Sequence, residues 1–256
     1  MCLMTYNNLT IVTEGPVEII GINRDAKRNA LNDPTIAEID RAFSSLRTDA
    51  KAVVLHGIGA NFSAGLDLSE LKSRDATEGM LHSRSWHHAF EKIQFGRVPV
   101  VAALHGAVIG GGLELAASAH IRVADTTAFY ALPEGSRGIY VGGGGSVRIP
   151  RLIGVERMMD MMLTGRRYTA EEGYPLGFSQ YLVDQGTALA KAKELAHRIA
   201  ENAPMTNYAV MHVLPRIADA DPAMGYIAEA FTSALAQADS EAKRRVTEFL
   251  EKRGPK

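Results

Sequence analysis

A chain of 256 residues with 46% hydrophobic and 22% charged residues is ordinary for a soluble globular protein that buries a real core. Its net charge of −1 gives no global attraction for nucleic acid or anionic lipid, so any phosphate contact must be local. The single cysteine, Cys2, excludes an internal disulfide and a cysteine-rich metal site, which suits a reducing compartment.

The first residues, Met1-Cys-Leu-Met-Thr-Tyr-Asn, lack a basic stretch followed by a long apolar one, so no export signal is expected and the cytoplasm is the default location. Strand-like runs follow at Leu9–Thr13 and Val17–Asn23. Asp33 is the expected N-cap of a first helix, with Pro34 at its first position and Ile36, Ile39, Phe43 and Leu46 repeating at spacings of three and four. A strand at Ala52–His56 leads into Gly57-Ile-Gly-Ala-Asn-Phe. That segment superficially matches a dinucleotide fingerprint, but Phe62 occupies the third glycine's place and the chain continues as loop. A surface turn is the ordinary reading. Next comes a helix carrying His82, Trp86, His87 and His88. No histidine pair there stands at i, i+4 beside a carboxylate in the manner of a zinc protease, so these are expected as exposed or pocket-wall residues.

A strand is expected at Val98–Leu104, with weaker ones at Ile121–Ala124 and Gln180–Val183, and the alternation with helices reads as α/β. The apolar stretch from Val98 is broken by Pro99, His105, four glycines and Glu114, which argues against a membrane span. Beyond about Gly186 the pattern turns all-helical, at Ala188–Asn202, Met205–Asp219, Pro222–Ala238 and Ser240–Lys252. Ala228, Phe231, Leu235 and Ala238 give the third of these an apolar stripe. The expected organisation is a core over residues 1–186 and a helical region over 187–256 that packs on its own core or on neighbouring subunits.

Chemistry concentrates at Glu114, the only charged residue between Val98 and Ala119. A carboxylate in apolar surroundings costs several kcal/mol, to order of magnitude, unless it is paired, hydrated or neutralised. No cation in this stretch pairs with it, so its pKa should rise, as suits a general acid or base. Gly110, Gly111 and Gly112 before it let backbone come close to a ligand. No Gly-x-Ser-x-Gly elbow exists, since Glu134-Gly-Ser-Arg-Gly lacks the first glycine.

Two segments carry a resemblance. Asn61-Phe-Ser-Ala-Gly-Leu-Asp-Leu and His105-Gly-Ala-Val-Ile-Gly-Gly-Gly-Leu-Glu-Leu-Ala look like the signature loops of the crotonase (enoyl-CoA hydratase/isomerase) superfamily. Arg24-Asp-Ala-Lys-Arg-Asn-Ala-Leu, Phe129-Tyr-Ala-Leu-Pro-Glu, Arg151-Leu-Ile-Gly, Leu163-Thr-Gly-Arg and the ending Phe249-Leu-Glu-Lys-Arg agree in order and spacing. The resemblance implies a spiral of ββα units with a C-terminal helical trimerisation region, as a homotrimer or a hexamer built from two trimers. It implies an acyl-CoA substrate, with coenzyme A entering as part of that substrate and no metal or other cofactor. Carried over by position, the oxyanion hole would be the backbone N–H groups of Leu66 and Gly111, and Glu114 and Glu134 would be the two glutamates of the true hydratases. Contacts to the CoA ester would fall to Arg24, Lys27, Ala64, Asp67, Leu68 and Gly110.

The residue types suit that chemistry. Adding water to a 2-enoyl thioester builds charge on the thioester oxygen, which two preorganised N–H groups can stabilise, while two carboxylates in different environments divide the acid and base tasks. Isomerisation and hydration with retro-aldol cleavage are rivals on the same fold, and a non-catalytic acyl-CoA binder is a rival of another class. Departures are visible too. Gly138-Ile-Tyr-Val-Gly-Gly-Gly-Gly-Ser lacks a proline that the family often has there, leaving a free loop where the acyl tail is expected to approach. Arg137 stands where an apolar residue is more usual and is expected as a surface contact; His120 stands where an aspartate is common. Trp86-His87 is similar to a pair in the chlorobenzoyl-CoA dehalogenase branch, but Gly142 replaces the nucleophilic aspartate that branch needs. An aromatic ring and a histidine on the pocket wall would suit a bulky acyl group.

Overall fold

The structure, a computed structural model, describes residues 5–70 and 73–253; Cys2 lies outside them. Strands β1 (Leu9–Glu14) and β2 (Val17–Ile22) form an antiparallel hairpin turning at Gly15, whose φ of +55° favours glycine. Helix α1 (Asp33–Ser44) follows. Its cap is Asn32 rather than the expected Asp33: Asn32 has extended backbone, and its side chain accepts the Thr35 N–H at 3.0 Å, which makes Asp33 the first helical residue. Strand β3 (Ala52–Gly57) leads through a loop to α2 (Ala76–Gln94), which opens with a reciprocal cap between Asp75 and Glu78.

The next stretch is β4 (Val100–Leu104), β5 (Ala107–Ile109), α3 (Gly111–Ala116), β6 (Ile121–Asp125) and β7 (Phe129–Ala131). After it come α4 (Gly145–Ile153), α5 (Val155–Thr164), β8 (Arg167–Thr169), α6 (Ala170–Gly173), β9 (Tyr181–Val183) and α7 (Ala188–Ala200). The chain closes with α8 (Pro204–His212), α9 (Leu214–Asp219), α10 (Pro222–Ala238) and α11 (Ser240–Arg253). The helix expected over Met205–Asp219 is therefore two. Pro215 has no N–H to donate one turn back, so the ladder breaks at Val213.

One sheet has the order β1-β2-β3-β4-β6-β9, parallel from β2 onward; a second has the order β5-β7-β8. Successive strands alternate between the two, with β4 in the first, β5 in the second, β6 in the first and β7 in the second. This is the ββα spiral. Parallel strands are covered on both faces, and β2 and β4 are buried at every residue. The three-residue strands β5, β7 and β8 exist through this pairing and are too short to announce themselves by period.

The protein forms two compact units, one ending at His197 and the other starting at Arg198. In the first, α7 buries Ala188, Ala192, Leu195 and Ala196. In the second, α10 leaves Phe231 and Leu235 of the expected stripe exposed. Among the described residues, no helix is long and apolar enough to cross a membrane.

Candidate active site

The site starts with the loop after β3. Gly57 carries no Cβ because one would lie 2.1 Å from the Asn61 carbonyl oxygen, so the loop folds back on its own strand. Phe62, in the place of the third glycine of a dinucleotide fingerprint, is wholly buried in the core. Asn29, buried and left-handed at φ 54°, ties the loop down: its Nδ2 donates to Ile58 O at 2.8 Å and Asn61 O at 2.7 Å, and its Oδ1 accepts the Arg24 N–H at 2.9 Å. Ser63 Oγ donates to the Asn29 carbonyl at 2.8 Å. A bridge to Leu31 then takes up the Gly65 carbonyl and the Asp67 N–H, at 2.7 and 2.9 Å. Backbone groups alternate in direction along extended chain, which turns the Leu66 N–H to the opposite side.

On that side lies the start of α3. Gly110, at φ +52°, ends β5, and the first N–H groups of a helix have no intrahelical acceptor. Among the described residues, neither the Leu66 nor the Gly111 N–H donates to a protein acceptor. The two backbones are in close approach. A Cβ on Gly65 would sit 2.5 Å from Ile109 O and 3.1 Å from Gly111 N, and one on Gly111 would sit 3.5 Å from Leu66 N. Two donors without acceptors therefore stand side by side.

Glu114 follows on α3, only 3% exposed. Its Oε1 accepts the Gly143 N–H at 2.8 Å and the Gly145 N–H at 2.7 Å. Burial raises its pKa; the N–H groups of Gly145 and Gly143 and the charge of Arg148 oppose that rise. The glycine loop is thus not free, as its composition suggested. Its N–H groups are tied to Glu114, and its Gly142 carbonyl accepts from Ser83 Oγ at 2.6 Å. Glu134 sits where the chain leaves β7 for a 3-10 turn, 7% exposed, with Oε2 buried and given no hydrogen-bond partner. Burial first, then the neighbouring Glu114 charge, pushes its pKa up to about 7. A Cβ on Gly110 would lie 2.5 Å from Glu134 Oε1, so that glycine makes room for the carboxylate.

Leu66, Gly111, Glu114 and Glu134 all line one cavity of about 460 Å³, closed by Ile139–Gly143 and by α2. From α2 come His82, Ser83 and Trp86, with Arg74 just before the helix. Trp86 packs edge-on to Phe90 at 5.7 Å between ring centres and reaches Gly111, where a Cβ would stand 2.7 Å from its ring. Of the three helix histidines expected as exposed or pocket-wall residues, His82 lines the cavity, held 2.7 Å from Asp33 Oδ1, while burial lowers the pKa of His87. His88 is exposed beside Asp40.

Two free N–H groups abutting a cavity with two buried carboxylates can stabilise an oxyanion and move protons beside it. The family model described as enoyl-CoA hydratase/isomerase matches residues 13–256. The chain belongs to the enoyl-CoA hydratase/isomerase family. It is 33% identical to the short-chain-enoyl-CoA hydratase of Clostridium acetobutylicum over 98% of this chain and 97% of that protein. It is 31% identical to the crotonyl-CoA hydratase of Syntrophomonas wolfei over 98% and 97%. A crystal structure from Rhodopseudomonas palustris, described as that of a candidate enoyl-CoA hydratase, superposes with a TM-score of 0.95 at 58% identity, covering 98% of each chain.

The other residues that the family resemblance singled out stand apart from the cavity lining. Arg24 Nη2 pairs with Asp67 Oδ2 at 3.1 Å, and its Nη1 donates to Ala30 O. Asp67 Oδ1 accepts from Ser69 Oγ at 2.6 Å, and Lys27 Nζ donates to the same hydroxyl at 3.1 Å. The Ser69 hydroxyl and Arg24 hold the Asp67 carboxyl below its ordinary pKa. Ala64 donates its N–H to Arg28 O, and Leu68 is 41% exposed. Among the described residues none of these, nor Gly110, lines the cavity. Arg137 is exposed, and His120 bridges the Val100 N–H to Gln94 O. Sequence reasoning missed Arg148, Gln94 and Ser83. The sequence held no distinguishing signal for them, since α2 is rich in polar residues such as His82, Arg84, Ser85, His87 and Glu91, and Arg148 meets Gln94 only through the fold. Among the described residues no cluster of His, Cys, Asp and Glu is arranged to hold a metal.

Proposed function

We propose that this protein adds water across the double bond of a 2-enoyl-CoA thioester to give the 3-hydroxyacyl-CoA. The observation that carries the reading is the meeting, in one cavity, of two unengaged N–H groups with two buried carboxylates whose environments differ. The thioester oxygen is held by the N–H groups of Leu66 and Gly111. Water oxygen bonds to C3 as one water proton passes to Glu114, the electron pair of the double bond moves through the enolate stabilised at the thioester oxygen, and C2 takes the proton held by Glu134. The proton left on Glu114 returns to Glu134 through solvent before the next turnover. Glu114, which accepts two N–H bonds, is the better ionised base for water; Glu134, with an unpartnered buried oxygen and a pKa near neutrality, is the better proton donor to C2. No metal or redox group takes part, and coenzyme A arrives with the substrate.

The Arg24, Lys27 and Asp67 cluster, with Ala64, Leu68 and Gly110, receives the CoA portion in this proposal. Exposed Phe231 and Leu235 on α10 support assembly as a homotrimer or hexamer through the helical region. A reducing compartment such as the cytoplasm is the expected location, which the single cysteine suits. Loss of enoyl absorbance with crotonyl-CoA and a panel of longer or aromatic enoyl-CoAs measures hydration. Glu114→Gln and Glu134→Gln should each cut turnover by at least ~10² while acyl-CoA binding survives. Turnover indifferent to Glu134→Gln would favour a one-glutamate isomerase or lyase, and tight binding without turnover a non-catalytic subunit.

A further inference from the structure

Arg148 on α4 is 7% exposed, and among the described residues no carboxylate stands at ion-pair distance from it. A buried, unpaired guanidinium is costly and calls for an explanation. Its Nε donates to Gln94 Oε1 of α2 at 2.6 Å, and its Nη1 donates to the Gly143 carbonyl at 2.9 Å. Gly143 in turn gives its N–H to Glu114. The glycine run is shaped around these two side chains. A Cβ on Gly144, at φ +91°, would lie 2.3 Å from Arg148 Nη1, and one on Gly145 would lie 2.8 Å from Glu114 Oε1. Gly143 has no room either, since its Cβ would stand 2.9 Å from the Phe90 ring.

We propose that Arg148 is a positioning residue for Glu114: it fastens the Gly143–Gly145 turn so that two N–H groups converge on one carboxylate oxygen, and it supplies the buried positive charge that keeps that carboxylate ionised. The inference rests on the hydratase reading, in which ionised Glu114 takes the proton from water. The Glu114 charge in turn raises the Glu134 pKa, Glu91 of α2 favours the charged form of Arg148, and Arg148 lowers the pKa of His87. Burial raises the Glu114 pKa and Arg148 lowers it, so loss of Arg148 must raise it further.

The test uses the full chain with Arg148→Gln and Arg148→Lys. Two quantities are read: the pH dependence of kcat/KM on crotonyl-CoA, and the Glu114 carboxyl titration by carbon-13 NMR, assigned with Glu114→Gln. Arg148→Gln should move both the acid limb and the NMR midpoint upward by about one pH unit. At pH below the limb its rate should fall by about tenfold, recovering toward wild type on the alkaline side. Arg148→Lys keeps the charge but cannot reach Gln94 and Gly143 in one planar fork. Its midpoint should stay near wild type while the Gly143 and Gly145 amides exchange at least ~10-fold faster. An unmoved midpoint in Arg148→Gln, with a rate loss uniform in pH, overturns the proposal; so does unchanged amide exchange in Arg148→Lys, which decides the matter should Arg148→Gln fail to fold. A wild-type protein that hydrates no enoyl-CoA would sink the hydratase reading, and the NMR and exchange arms would then judge Arg148 alone.

Discussion

Replacing Glu134 by glutamine should make the ligand-free protein more stable, and only at the upper end of the pH range. Glutamine has the shape of the protonated acid and cannot ionise. The folded protein holds the Glu134 pKa at about 7 against 4.5 in the unfolded chain, so folding favours the neutral form. That contribution is fully present below about pH 4.5 and is lost as pH rises through 7. At about 1.4 kcal/mol per pH unit, the rise from 4.5 to about 7 amounts to about 3 kcal/mol once Glu134 is ionised. Little of this is screened by water, since the side chain is almost wholly buried. Urea unfolding of wild type and Glu134→Gln at intervals from pH 4 to pH 8 measures it. The two stabilities should coincide near pH 4 and separate progressively, with the variant ahead by about 3 kcal/mol at pH 8. Curves that run parallel over that range would refute the reasoning, because Glu134 would then be solvated and its burial without chemical consequence.

Gly111→Ala should lower kcat on crotonyl-CoA by roughly 10²-fold, the scale of losing one oxyanion donor, because its Cβ would stand 2.7 Å from the Trp86 ring and force the Gly111 N–H away from Leu66. Pre-steady-state kinetics should assign the loss to the chemical step. Light scattering of the purified protein should give three or six times the chain mass, and Phe231→Asp with Leu235→Asp should reduce it to one; a wild-type monomer would remove the subunit proposal.

Much of the site was legible from residue order. A lone acid in a 22-residue apolar stretch with three glycines ahead of it, Gly110 to Gly112, could only be a buried carboxylate beside closely approached backbone. Phe62, which stands where a dinucleotide fingerprint has its third glycine, is a core residue in the fold. The glycine-rich loop misled. Glycine signals both freedom and lack of room, and only the neighbours tell them apart; at Gly143 to Gly145 those neighbours are Phe90, Arg148 and Glu114. His82 and His87 lie on one helix, and which of them faces the cavity depends on where α2 packs, which is set in part by Trp86 lying against Gly111 of α3.

The family, the alternation of strands and helices, and the candidacy of Glu114 follow from local pattern, since glycine geometry and hydrophobic period act over a few residues, while Glu134 was picked out only by the family resemblance. The protonation behaviour of those carboxylates does not. It depends on N–H donors 29 and 31 positions from Glu114 and on a buried arginine beyond them. Only folding brings those groups within the few ångströms over which dipoles and charges decide whether a buried acid ionises.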